Sequence, residues 1–155
     1  NRRSRGLGDV YKRQLIYILV LFISNNLFSQ TEIDWLKLRD VYYKSEYRED
    51  VDGYFQTPYF GETVELLDNK EVVITGYMLT LAPDEGIYVL SQNPYADCFF
   101  CGYGGPESAI ELRLKPGHDS FFMDELVTVV GILRLNRLDV SSGVYIMDNA
   151  IAIKK

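Results

Sequence analysis

Two stretches of this chain repeat one pattern, Val72-x-Ile74-x-Gly76-x-Met78 and Val127-x-Val129-x-Gly131-x-Leu133. Apolar residues at every second position turn one face of a strand toward a core. A glycine inside a strand weakens it and marks a bulge, a sharp bend or a close approach. Around these two strands the sequence predicts three more. Residues 70–81, 87–91, 108–115, 126–135 and 143–153 read as strands. Breakers separate them at Pro83-Asp84-Glu85-Gly86, Asn93-Pro94, Pro116-Gly117 and Ser141-Ser142-Gly143. A helical turn is expected near 120–125. The third strand alternates inward Ile110, Leu112 and Leu114 with outward Glu111, Arg113 and Lys115. A mainly-β chain with five strands, the first and fourth long and bent, fits an OB-fold-like Greek-key barrel over 70–155. Another small barrel or sandwich is the alternative.

Residues 31–69 form an N-terminal extension, expected to be short, helical or irregular. Trp35, Leu38, Val41 and Tyr42 fall at helical spacing, yet the aromatic and β-branched content also suits a strand. Asp52-Gly53 reads as a turn, Pro58 as a boundary, and 62–67 as one or two helical turns. The acidic, aromatic stretch 42–60 either packs its rings on the barrel or presents a binding face.

The start of the chain reads differently. Residues 4–14, SRGLGDVYKRQ, match the translation of a transposase sequencing adapter, so 1–14 are set aside. Leu15 then opens the apolar run LIYILVLFI. That run has signal-peptide length, about 7–15 apolar residues, and falls short of the roughly 20 of a spanning helix. Residues 15–30 are therefore read as a truncated signal peptide, with cleavage near Ser29 or Gln30. A buried helix of the domain is the competing reading. The signal-peptide reading implies a periplasmic or secreted protein with no stable membrane span in its mature form. No cysteine lies near the cleavage point to carry a lipid.

Charge narrows the partners. The chain has 16 basic and 22 acidic residues; the first 14 positions hold 5 and 1 of these, leaving 11 against 21 and a net charge near −10. Proteins that bind phosphate backbones neutralise them with Lys and Arg, so nucleic acid is excluded as the natural partner.

The one motif with distinctive chemistry is Cys98-Phe99-Phe100-Cys101-Gly102, in the Gly-rich loop between the second and third strands. Three readings stay open. As half of a metal knuckle, Cys98 and Cys101 would supply two thiolates for zinc or Cu(I), with His118, the single histidine, as a candidate third ligand. Asp97, Glu107 and Asp119 are possible oxygen ligands. As a disulfide, the pair suits an exported protein. As a redox pair, it lacks the helix N-terminus that usually activates such a thiol, since Gly102, Gly104, Gly105 and Pro106 follow. There is no G-x-S-x-G, Walker loop or H-E-x-x-H, so no enzyme activity is expected. OB barrels bind chains across strands two and three. Tyr88, Tyr95 and Tyr103 lie near that face and are the ligand-face candidates for a glycan- or protein-binding module.

From residue 70 to about 153 the chain resembles a family of small bacterial periplasmic proteins of unknown function with an OB-like barrel. Leu67-Asp68-Asn69-Lys70 and the stretch from Val72 to Gly76 match that family's lead-in. Pro94-Tyr95-Ala96-Asp97-Cys98 and Pro106 match its Pro-x-x-x-Cys loop. The Phe-Phe-Cys-Gly continuation resembles a branch found in exported Bacteroidetes proteins. In the better-known branch a histidine stands two positions after the first cysteine; here Phe100 does, and Cys101 follows. The resemblance implies an envelope protein working beside transport systems linked to metal handling. Zinc as the cofactor follows from the cysteine pair, and other exported proteins are the alternative partners.

Overall fold

The computed structural model describes residues 30–155. The readings of 1–14 as adapter and of 15–29 as signal peptide fall outside the described residues. In chain order the elements are β1 (Thr31–Glu32), β2 (Val41–Arg48), β3 (Gly53–Phe60), α1 (Glu62–Glu65), β4 (Lys70–Ala82), β5 (Ile87–Ser91), β6 (Ala109–Leu114), β7 (Glu125–Leu135) and β8 (Tyr145–Lys154).

Five strands close a barrel in the order β4-β5-β6-β8-β7, with β7 pairing back onto β4. All contacts in the ring are antiparallel except β6–β8, which is parallel. The parallel contact arises because β7 intervenes in the chain between β6 and β8, the Greek-key arrangement expected of an OB-like barrel. Strand β4 serves both halves of the ring. It pairs with β7 from Lys70 to Met78 and with β5 from Tyr77 to Ala82.

The repeated glycines mark where the barrel wall makes room. A Cβ on Gly76 would lie 2.6 Å from the Ser91 carbonyl oxygen and 2.9 Å from the Trp35 ring. One on Gly131 would lie 2.6 Å from Cγ of Met147. Trp35 and Met147 fill the space that larger residues would take. The β7–β8 register also slips between Val130 and Ile132, so Gly131 sits at the expected irregularity.

The alternating residues form the interior. Ile74, Met78, Leu90, Ile110, Leu112, Val127, Val129, Leu133, Tyr145 and Met147 are buried in one cluster. Residues 115–124 plug one end of the barrel with the Phe121 ring, which packs edge-on to Tyr88 at 6.5 Å. The helical turn expected near 120–125 is absent. Glu125 instead accepts from the Phe122 amide at 3.0 Å, and Asp124 takes a positive φ of 64°.

The extension belongs to the same core. Ile33, Leu38, Val64 and Leu67 join the barrel cluster, and β1 runs parallel to β4 beside Val72 and Val73. Trp35 donates its indole N–H to the Thr75 carbonyl at 2.8 Å. The Tyr145 hydroxyl donates to the Leu38 carbonyl at 2.6 Å in a buried bond. The helical spacing around Trp35 yields only one tight turn at Lys37–Arg39, and strand structure starts at Val41. From there the aromatic residues form a β2–β3 hairpin, with Tyr42 stacked on its cross-strand partner Tyr59 at 5.2 Å.

Candidate functional site

Outward residues of β5 and β6 floor a groove of about 1000 Å³. Ile87 and Val89 lie on β5; Ala109, Glu111 and Arg113 lie on β6. These positions follow from strand alternation: Leu90, Ile110 and Leu112 point into the barrel, so their neighbours point out. Four chain segments wall the groove. The hairpin supplies Tyr43, Phe55 and Gln56, and the β4–β5 turn supplies Leu81 and Gly86. The cysteine loop supplies Phe100 and Pro106, and the β7–β8 loop supplies residues 141–144.

Most of this lining is apolar, and its charges are confined to one line. Glu111 accepts from the Gly143 amide at 2.9 Å and lies 3.5 Å from Arg113. Arg113 is also 3.5 Å from Asp148, which pairs with Arg134 at 2.9 Å. The charges alternate in sign along this row, so the groove presents no strong net field.

The walls are tied to one another. Tyr43 donates its hydroxyl to Glu107 at 3.1 Å, joining the hairpin to the end of the cysteine loop. Burial, and then the Glu107 charge, push the Tyr43 phenol far above its ordinary range. Arg48 bonds to the Leu138 carbonyl, joining the hairpin tip to the β7–β8 loop. Asp139 holds that loop in shape by accepting from the Ser141 hydroxyl at 2.5 Å, from the Ser141 amide at 2.9 Å and from the Ser142 hydroxyl at 2.8 Å. These bonds, the Ser141 hydroxyl foremost, keep the Asp139 carboxyl below the usual range.

The cysteine loop folds over the outside of the barrel. Cys98 is 1% exposed and forms a small second core with Leu79 and Val89, with Ala109 packed against it. Cys101 is exposed, and its thiol donates to the Tyr95 carbonyl at 3.0 Å. Both are free thiols. Desolvation and the neighbouring Cys98 thiol raise the Cys101 pKa above its ordinary 9.0.

His118 is placed elsewhere. Its ring packs edge-on to Tyr88 at 5.2 Å and stacks on Phe121 at 6.1 Å, and Nδ1 donates to the Asp119 carbonyl at 2.7 Å. Tyr88 faces the barrel interior and Val89 faces out, so His118 and Cys98 sit against opposite faces of β5. The expected grouping of His118 with the two cysteines is therefore not formed. Among the described residues no three His, Cys, Asp or Glu side chains come together as a metal group. The pair supplies two of the four ligands that a structural zinc takes, so by itself it does not complete such a site.

Of the three tyrosines singled out from the sequence, Tyr88 borders the groove, but its ring is mostly buried in the barrel end. Tyr95 and Tyr103 are exposed and lie outside the groove lining. The residues missed were Tyr43, Phe55, Ile87 and Arg113. The available signal was the alternation on both sides of Asp52-Gly53, which marks 41–60 as a hairpin. The outward positions of the expected second and third strands would have named Ile87 and Arg113.

No protein-family model matches the chain, and no curated protein matches it. Among solved structures, a DUF3299 family protein from Pseudomonas aeruginosa PAO1 is similar, with a TM-score of 0.51 and 13% identity. The match covers 82% of this chain and 98% of that one. At that identity the likeness is one of fold alone: this chain shares its small-barrel architecture with a protein of an uncharacterised family.

Proposed function

We propose that this protein is a non-catalytic binding module that holds an apolar polypeptide segment in the groove across β5 and β6. The observation that carries the reading is the groove itself. It is about 1000 Å³ in volume, lies on the face that OB barrels use for chain ligands, and is walled by four separate segments. Aliphatic and aromatic side chains dominate the lining, which suits hydrophobic side chains better than the hydroxyl-rich surface of a sugar.

Metal trafficking through Cys98 and Cys101 is less well supported, because neither His118 nor a carboxylate joins the thiols. Thiol–disulfide catalysis is disfavoured by the raised Cys101 pKa, since catalytic thiols of this type are acidified. Placement in the envelope is part of the proposal and rests on the apolar run 15–23. Cell fractionation of a reporter enzyme fused behind residues 15–30 tests it, and retention in the cytoplasm would count against it.

The groove is tested with the dye 1-anilinonaphthalene-8-sulfonate. Wild-type protein should enhance its fluorescence, and Ile87→Asp should weaken binding about tenfold, the scale of one lost apolar contact at a site. Ile87 is 43% exposed, so the variant should keep its thermal midpoint. Displacement of the dye by apolar decapeptides supports a polypeptide ligand, and displacement by oligosaccharides alone overturns it. Equal dye binding by Ile87→Asp and wild type would remove the groove as the site.

A further inference from the structure

The turn Cys98-Phe99-Phe100-Cys101 carries chemistry that the groove reading leaves unused. The Cys101 amide donates to the Cys98 carbonyl at 3.0 Å. A bond of this i to i+3 kind brings the two Cα atoms within about 7 Å. A disulfide spans Cα separations of about 4.4–6.8 Å, so the turn places the pair close to bonding range. Their surroundings differ sharply. Cys98 is anchored between Leu79 and Val89, whereas Cys101 faces solvent.

We propose that Cys98 and Cys101 form a reversible disulfide site whose reaction partners are low-molecular-weight or protein disulfides, with Cys101 as the entry thiol. Cys101 sulfur attacks a disulfide RS–SR, forming a mixed disulfide and releasing one RSH. Cys98 sulfur then attacks the Cys101 sulfur, closing the internal bond and releasing the second RSH. Two protein thiols are oxidised, one external disulfide is reduced to two thiols, and both protons leave with them. Because Cys98 is fixed in its small core, Cys101 makes the movement and gives up its bond to the Tyr95 carbonyl. The raised Cys101 pKa makes this exchange slow near neutral pH, as suits a lasting modification. The site stands on the loop's geometry and does not depend on what fills the groove.

The test uses the folded chain equilibrated with glutathione and glutathione disulfide, quenched with acid, then unfolded in guanidinium with excess N-ethylmaleimide at neutral pH, so that every remaining thiol is alkylated, and weighed intact. Oxidised wild type should be two hydrogens lighter, carry no maleimide and no glutathione, and revert with dithiothreitol. Cys98→Ser should retain one glutathione on Cys101, and Cys101→Ser should take up none, because Cys98 is buried. Cys98→Val keeps the apolar packing and replaces Cys98→Ser if that variant does not fold. Closing a four-residue ring corresponds to about twenty-fold in a local opening equilibrium. Amide exchange at 99–103 should slow on that scale after oxidation. Wild type that keeps two maleimides in oxidising buffer, accumulates a glutathione adduct, or shows unchanged exchange in the turn overturns the proposal.

Discussion

Tyr43 and Glu107 stand 3.1 Å apart, and their hydrogen bond joins the β2–β3 hairpin to the loop that leads into β6. Two walls of the groove are thereby held as one unit. Tyr43→Phe keeps the ring and removes the donor. The expected outcome is a loss of about 1 kcal/mol in urea unfolding, the usual net value of such a bond, with an unchanged slope. No change in midpoint would show that the two walls are positioned independently.

The same phenol, with Tyr145, makes stability fall at alkaline pH. Both pKa values are raised above the ordinary 10.0, chiefly by burial and secondarily by the Glu107 charge. In the unfolded chain both ionise near 10, while the folded chain holds their protons. Their contribution is thus fully present below pH 10 and is lost progressively above it. Absorbance titration at 295 nm should show two tyrosines that ionise only with unfolding, and Tyr43→Phe should remove one of them. Reversible ionisation of every tyrosine in the folded state would contradict this.

Leu38 tests whether the extension is structural. Its side chain is fully buried in the barrel cluster, and its carbonyl accepts from Tyr145 at 2.6 Å. Leu38→Ala should cost about 2–5 kcal/mol, as for a core leucine elsewhere. Residues 70–155 expressed alone should fail to unfold cooperatively. A cooperative transition in that fragment would show that the barrel folds without 31–69.

Gly76→Ala tests close packing inside the wall. The added methyl would meet the Ser91 carbonyl at 2.6 Å and the Trp35 ring at 2.9 Å. The backbone oxygen cannot swing aside as a side chain would. A loss of about 1–3 kcal/mol is expected, together with a red shift of Trp35 fluorescence as the indole is displaced. An unshifted spectrum at wild-type stability would mean that the wall yields more easily than its packing indicates.

The barrel was legible because strand alternation is a local property. Ile110, Leu112 and Leu114 against Glu111, Arg113 and Lys115 state which face is buried without reference to any other segment. The hairpin was less legible. The aromatic residues of 41–60 satisfy both a helical and a strand reading, and cross-strand pairing of Tyr42 with Tyr59 settles the matter. The short stretch 120–125 went the other way: its turn is stabilised by the Glu125 carboxylate and by Phe121 filling the barrel end, both invisible to a local pattern.

The sequence by itself determined the strand segments, the two glycine positions in the barrel wall and the presence of a close cysteine pair, because each depends on residues a few positions apart. Only the tertiary structure decided which distant residues share a site. Strand β5 separates His118 from Cys98, because successive residues of a strand point to opposite faces. The hairpin, the cysteine loop and the β7–β8 loop meet over β5 and β6 only once the barrel closes. The groove is thus a consequence of closure and long-range pairing, which no window of sequence contains.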